Sequence, residues 1–216
     1  MSSASPLEIA TDLFNTVDFN KKSLLISASA IVFNPTFWNI VARREYRTRF
    51  LTRAFGGAQA ACYALAVTIF SLGLVRDFLY ERALRDQPSH PLMVGDVPTY
   101  AAYALLALGN TLVISSTLRL GITGTFLGDY CGILMDSMVT GFPFNITSAP
   151  MYWGSTMNFL GSALLYGKPA GLLLTILVYV VYLVAIQFEN PFTAGIYAKR
   201  EKERAQTAGR EGKKEL

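Results

Sequence analysis

Four stretches without a charged side chain dominate this chain. They run from Lys22 to Arg43, from Arg53 to Arg76, from Asp96 to Arg119 and from Lys168 to Glu189. Each gap is close to the ~20 apolar residues that an α-helix needs to cross a bilayer. Across the 216 residues, 52% are hydrophobic and 16% are charged, and the charges gather between these gaps. That clustering predicts an all-α integral membrane protein. No water-soluble domain of useful size remains, so any chemistry is built from the helices and their connections.

The spans are unequal in quality. Residues 23–42 contain Asn34-Pro35, and a proline inside a helix removes one hydrogen-bond donor and crowds the preceding turn. This run is expected to be a re-entrant or interfacial helical hairpin, with a full span as the weaker alternative. The four expected transmembrane helices are Ala54–Val75, Val97–Leu118, Tyr152–Tyr166 and Pro169–Phe188. The third is short and lies in a long uncharged stretch, Ser137 to Gly167, rich in Gly, Ser, Thr, Asn and Pro. The expected division is an N-terminal segment 1–22, a membrane-embedded domain 23–197 and a basic, disordered tail 198–216. The start of the chain lacks the pattern of a cleavable signal peptide.

Charge asymmetry gives an orientation. Arg43, Arg44, Arg47, Arg49 and Arg53 form one basic cluster, and Lys199, Arg200, Lys202, Arg204, Arg210, Lys213 and Lys214 form another. Positive charge marks the cytosolic side of membrane proteins, so both clusters and the C-terminus are expected there. Lys213-Lys214 before the last two residues resembles a dilysine retrieval signal of the endoplasmic reticulum. Attraction to anionic lipid accounts for the basic runs, and no nucleic-acid module accompanies them. Cys62 and Cys131 form no metal or disulfide framework and read as small core residues. The only histidine, His90, is expected to be a solvated loop residue, so no metal site or serine-type triad is expected.

Three constellations carry chemistry. Gly121, Gly124, Gly128 and Gly132 surround Asp129; on a helix they would line one face, and an acid at membrane depth marks a functional site. Gly154, Asn158, Gly161 and Ser162 recur at helical spacing and form a small, polar face, for helix packing or for a pocket wall. Glu189 ends the last apolar run, where a carboxylate must face water, a cation or a cavity rather than lipid.

Taken in order, four blocks closely resemble the small phospholipid methyltransferases. They are Gly121–Leu134 with Gly124, Gly128 and Asp129; Phe142-Pro143-Phe144-Asn145; Pro150-Met151-Tyr152-Trp153-Gly154; and Glu189-Asn190-Pro191-Phe192-Thr193 through Tyr197. The resemblance covers roughly Asn34 to Tyr197 and is to the fungal type that completes the last two methylations of phosphatidylcholine synthesis at the endoplasmic reticulum. It implies S-adenosyl-L-methionine as methyl donor, bound through a Gly-x-Gly that matches Ala107-Leu108-Gly109 and an acidic pair that matches Glu189-Asn190. The first glycine is Ala107 here and the second acid is the amide Asn190, so Glu189 carries the charge. No general base comes with the resemblance. Asp129 and Glu189 are the candidate catalytic carboxylates, as proton acceptors or as attractors of the ammonium. The implied partners are a membrane phospholipid and the bilayer, without metal or nucleic acid. The Arg-His-Pro signature of isoprenylcysteine carboxyl methyltransferases is missing before Pro150, and no repeat supports a transporter.

Overall fold

A computed structural model describes residues 5–211, all helix and loop among them. Helix α1 spans Pro6–Asn15, α2 Lys22–Thr48, α3 Phe50–Ala54, α4 Ala58–Asp86, α5 Asp96–Thr125, α6 Pro150–Tyr166 and α7 Pro169–Glu211. Helices α2, α4, α5 and α7 are each long and apolar enough to cross a membrane. The 17 residues of α6 fall short of that length alone, yet α6 runs between the same two ends. The protein is a multi-pass membrane protein, and its five long helices alternate in direction.

The two ends are easily told apart. At one, His90 packs against Asp12 and the turn at Gly167. At the other lie Arg43, Arg49, Asp129 and Glu189. Around the bundle α5 packs on α6, α6 on α7, α7 on α2 and α2 on α4, while α4 reaches α6 through side chains such as Tyr80 on Phe159. Ile31, Tyr80, Leu84, Phe159, Leu174, Val178 and Tyr182 fill the centre. Leu25, Phe70, Leu74, Phe78, Leu108, Leu118 and Ile176 point outward, as apolar side chains do where the solvent is lipid.

The expected hairpin over 23–42 is not formed. Helix α2 is continuous through Pro35 and runs from the His90 end, where Asp18 and Gln87 exchange hydrogen bonds of 2.9 and 2.8 Å, to Arg43 at the other. Pro35 cannot donate to the Ile31 carbonyl, but that turn is buried against protein rather than lipid, where such a break is tolerated. Asn34 is 2% exposed and donates to the Leu72 carbonyl of α4 at 3.0 Å, and Asn39 returns a bond to the Pro35 carbonyl. The proline is held by its polar neighbours. The first span is therefore α2, which puts the N-terminal segment and α7's exit at opposite ends.

Three other expectations change. His90 is buried, not solvated: its Nδ1 accepts from Leu92 N and its Nε2 meets Asp12 at 3.0 Å. It ties α1 to the α4–α5 loop. Helix α1 itself starts on a capping box, in which Ser5 holds the Glu8 carboxyl below its ordinary pKa. The glycines from 121 to 132 do not line one helix face, because Gly121, at φ 64° and ψ −176°, kinks α5. The chain then folds back tightly enough that a Cβ on Gly128 would stand 2.6 Å from the Thr123 carbonyl. Finally, residues 198–211 are not disordered; they continue α7. Lys213 and Lys214 lie outside the described residues.

A candidate site at the Arg43 end

Glu189 sits where α2, α6 and α7 meet. Its Oε1 accepts from Trp38 Nε1 at 2.9 Å and from Asn39 Nδ2 at 2.7 Å, and its Oε2 accepts from the Tyr152 hydroxyl at 2.6 Å. All three donors are neutral. The proline of this motif helps to shape the place. Pro191 cannot donate to the Gln187 carbonyl and loosens that turn, and the neighbouring Phe188 carbonyl accepts from Arg43 at 2.6 Å.

Asp129 reaches the same region from the folded-back segment after α5. The kink at Gly121 and the 3-10 turn Gly128–Cys131 carry it against α7. There its Oδ2 accepts from the Thr193 hydroxyl at 3.0 Å, and its Oδ1 from Tyr130 N at 3.1 Å. Thr193 lies four residues after Glu189, one helical turn along the same face, so α7 brings the two carboxylates together. Phe192 lies between Glu189 and Thr193 in the sequence of the same helix and packs against the core cluster of Ala42, Leu65 and Tyr130. It stacks on Tyr130 at 4.8 Å, meets Tyr46 edge-on at 5.1 Å, and lies under the Arg43 guanidinium at 4.7 Å.

Neither Asp129 nor Glu189 takes part in an ion pair among the described residues; the pairs found lie elsewhere. The buried carboxylate Glu45 is different in kind. It caps α3 by accepting from Leu51 N at 2.6 Å and from Thr52 N and Oγ1 at 3.3 and 2.5 Å, so its charge is spent on a helix N-terminus. Arg49, at φ 53°, turns the chain there and donates to the Tyr130 carbonyl.

Of the other residues singled out by sequence, Asn190 is exposed and donates to the Ser148 hydroxyl at 3.1 Å. Ala107 and Leu108 are exposed on the outer side of α5, and Gly109 is buried in the α5–α6 seam. A Cβ there would meet Asn158 Oδ1 and stand 2.6 Å from the Gly154 carbonyl. Gly154 and Gly161 meet α5 in the same way. Most of the small face of α6 is thus the close-packed seam with α5. On another face of α6, Tyr152 contacts Glu189 and Ser155 contacts Tyr182. Helix α6 therefore stands between Gly109 and Glu189. Sequence reasoning missed Trp38 and Asn39 as partners of Glu189; polar, hydrogen-bonding side chains within an apolar run were the signal available.

The geometry can be set beside known proteins. The phosphatidyl-N-methylethanolamine N-methyltransferase of Neurospora crassa is 80% identical over 206 residues, covering 95% of this chain and 96% of that one. The chain belongs to the phospholipid methyltransferase family. The model of that family matches residues 97–200, which include Asp129, Tyr152 and Glu189. The Saccharomyces cerevisiae enzyme of the same name is 54% identical over 195 residues, 90% of this chain and 95% of its own. Human phosphatidylethanolamine N-methyltransferase is 49% identical over 194 residues, 88% and 96% of the two chains. No solved structure matches. In this phospholipid methyltransferase α2 also contributes Trp38, Asn39 and Arg43 to the candidate site, from before the segment that the family model matches.

Proposed function

We propose that the Arg43 end is the site at which this enzyme methylates phosphatidyl-N-methylethanolamine and phosphatidyl-N,N-dimethylethanolamine to phosphatidylcholine, with S-adenosyl-L-methionine as donor. The observation that carries this reading is Glu189: a carboxylate held by three neutral donors and without an ion-pair partner, one turn from the anchor of a second carboxylate. Such a pair suits cationic ligands. S-Adenosyl-L-methionine supplies an electrophilic methyl group on a cationic sulfur. Glu189, with Asn190 beside it, would hold the donor's cationic portion, and Trp38, Asn39 and Tyr152 fix the orientation of that carboxylate. Of Ala107, Leu108 and Gly109, only Gly109 bears on the donor site, through the seam that sets where α6, and hence Tyr152, stands; Ala107 and Leu108 face outward.

The transfer is an in-line displacement. The acceptor nitrogen forms a bond to the methyl carbon as the carbon–sulfur bond breaks, with its electrons staying on sulfur. Positioning contributes most in such a reaction. A protonated acceptor amine must first lose its proton, and Asp129 is the acceptor we assign, with the proton passing on to solvent at the membrane edge. The rings of Tyr130 and Phe192 are already covered by each other and by the Arg43 guanidinium, so the ammonium is attracted by the two carboxylates rather than by these aromatic faces.

The orientation follows from charge. With Arg43–Arg53 and the α7 extension in the cytosol, the donor arrives from water and the lipid from the bilayer, and the endoplasmic reticulum membrane is the proposed location. The test uses purified protein in nanodiscs with methyl-labelled donor. Label is expected in phosphatidylcholine when either partly methylated lipid is supplied. Donor binding without any lipid labelling, together with labelling of an isoprenylated cysteine acceptor, would reject the proposal.

A further inference from the structure

A second polar place lies deeper in the bundle. Helices α4 and α6 are joined by long side chains, Tyr80 on Phe159 and Glu81 to Tyr166, and between their backbones is a cleft of about 300 Å³ lined by Arg76, Asp77, Glu81, Ser155, Phe159 and Tyr166, among others. Arg76 is its core. The Arg76 side chain is 12% exposed, whereas its partner Asp77 is 55% exposed. The guanidinium donates to Asp77 Oδ1 at 2.8 Å and to the Tyr182 hydroxyl at 2.6 Å, and lies 5.0 Å over the Phe159 ring. Tyr182 stands seven residues before Glu189 on α7, so Arg76 is roughly 10 Å further into the bundle, at the rise of a helix. A guanidinium at that depth is costly unless it is paired or faces a polar cavity, and Arg76 does both.

The wall of α4 arranges charge of both signs. Arg76 is followed by Asp77 and Glu81; Glu81 lies toward the His90 end, bound by Arg85 and by the Tyr166 hydroxyl at 2.6 Å. With Glu81 paired to Arg85, the buried Arg76 and the half-exposed Asp77 beside it are the charges that complement a zwitterion. The outward Leu74 and Phe78 of the same helix offer apolar surface next to the cleft. On its inner side Arg76 connects to Tyr182, whose ring packs on Tyr152 at 4.7 Å, and Tyr152 holds Glu189.

We infer that the α4–α6 cleft is a binding site for the headgroup of a zwitterionic aminophospholipid, with the phosphodiester on Arg76 and the ammonium against Asp77. The fork of a guanidinium matches two phosphate oxygens, and the exposed Asp77 is the partner that gives way. Acyl chains leave along the outer face of α4. The site holds lipid next to the Tyr182–Tyr152 contact and is separate from the donor site. Its link to methylation rests on the function proposed above; the binding itself does not.

Native mass spectrometry of the full chain released from nanodiscs tests this, with phosphatidyl-N-methylethanolamine, phosphatidylglycerol and diacylglycerol as probes. The first is expected to be retained and the other two not. Arg76→Gln and the cleft-filling Ser162→Trp should each lower its retention tenfold or more, while binding of S-adenosylhomocysteine stays normal and reports an intact fold. Glu189→Gln should lose methylation and keep lipid retention. Unchanged retention in both Arg76→Gln and Ser162→Trp overturns the inference, as does equal retention of phosphatidylglycerol. If the cleft variants bind lipid normally and Glu189→Gln does not, the headgroup belongs at the Arg43 end and the cleft is empty of function. A failure of methylation in every sample, with the expected retention pattern, would overturn the proposed activity alone.

Discussion

Replacing Glu189 with Gln removes a charge while sparing most of the geometry. The Gln carbonyl can still accept from Trp38 and Asn39, and its amide can donate to Tyr152, whose hydroxyl turns to accept. Three bonds of 2.6–2.9 Å lose their charge assistance. A bond to a charged group exceeds a neutral one by about 1 kcal/mol, so the fold loses at most ~3 kcal/mol, less what the carboxylate no longer loses by desolvation. Ligand binding changes more specifically. A unit charge ~4 Å away at an effective dielectric of 20 contributes about 4 kcal/mol. Glu189 is only partly buried, and halving that figure for solvent screening leaves about 2 kcal/mol, or roughly 30-fold in affinity. Isothermal titration calorimetry of the solubilised protein measures it, with S-adenosylmethionine and S-adenosylhomocysteine as ligands. If Glu189 faces the amino group, both weaken about 30-fold; if it faces the sulfonium, only the first does. Unchanged affinity for both ligands, in a variant that melts like the parent, refutes the assignment of Glu189.

Asp129→Asn should reduce turnover by about 100-fold or more, the usual scale for a proton acceptor, without weakening donor binding; near-normal methylation would remove Asp129 from the mechanism. Gly109→Ala forces a Cβ against Asn158 and the Gly154 carbonyl and should destabilise by ~1–3 kcal/mol, read as a lower Tm. Asn158→Ser should not rescue it, since the Gly154 carbonyl is backbone. Protease protection of tagged protein in sealed microsomes should find residue 5 and residue 211 on opposite sides. Asn145-Ile146-Thr147 is a glycosylation sequon; exposed between α5 and α6, Asn145 should carry no glycan, and a glycan there would reverse the orientation.

The bundle was legible because charge-free runs of one bilayer's length have few alternatives. Glu189 was legible as a carboxylate with nowhere to hide. What could not be read were partners far away in sequence. Trp38 and Asn39 precede Glu189 by 151 and 150 residues, and the Leu72 carbonyl that accepts from Asn34 lies 38 residues on. Local reasoning assigned Pro35 its ordinary cost without seeing that compensation. The glycines near Asp129 announced small size but not backbone angle, and the positive φ of Gly121 replaced an expected helix stripe with a turn. The charged residues after 197 read as disorder in isolation. Extending a formed helix needs no new nucleus, and Arg200 ties that extension down by donating to the Met135 and Asp136 carbonyls.

Helix α7 also acts as a ruler. From Pro169 to Glu189 it advances about 30 Å, the thickness of the hydrocarbon layer, so the carboxylate emerges as the helix leaves the bilayer. Deleting one residue between them would draw Glu189 inward by about 1.5 Å and swing it about 100° around the axis, away from Trp38 and Tyr152. Apolar residues along this stretch are exchangeable for one another where they face lipid, but their number is fixed.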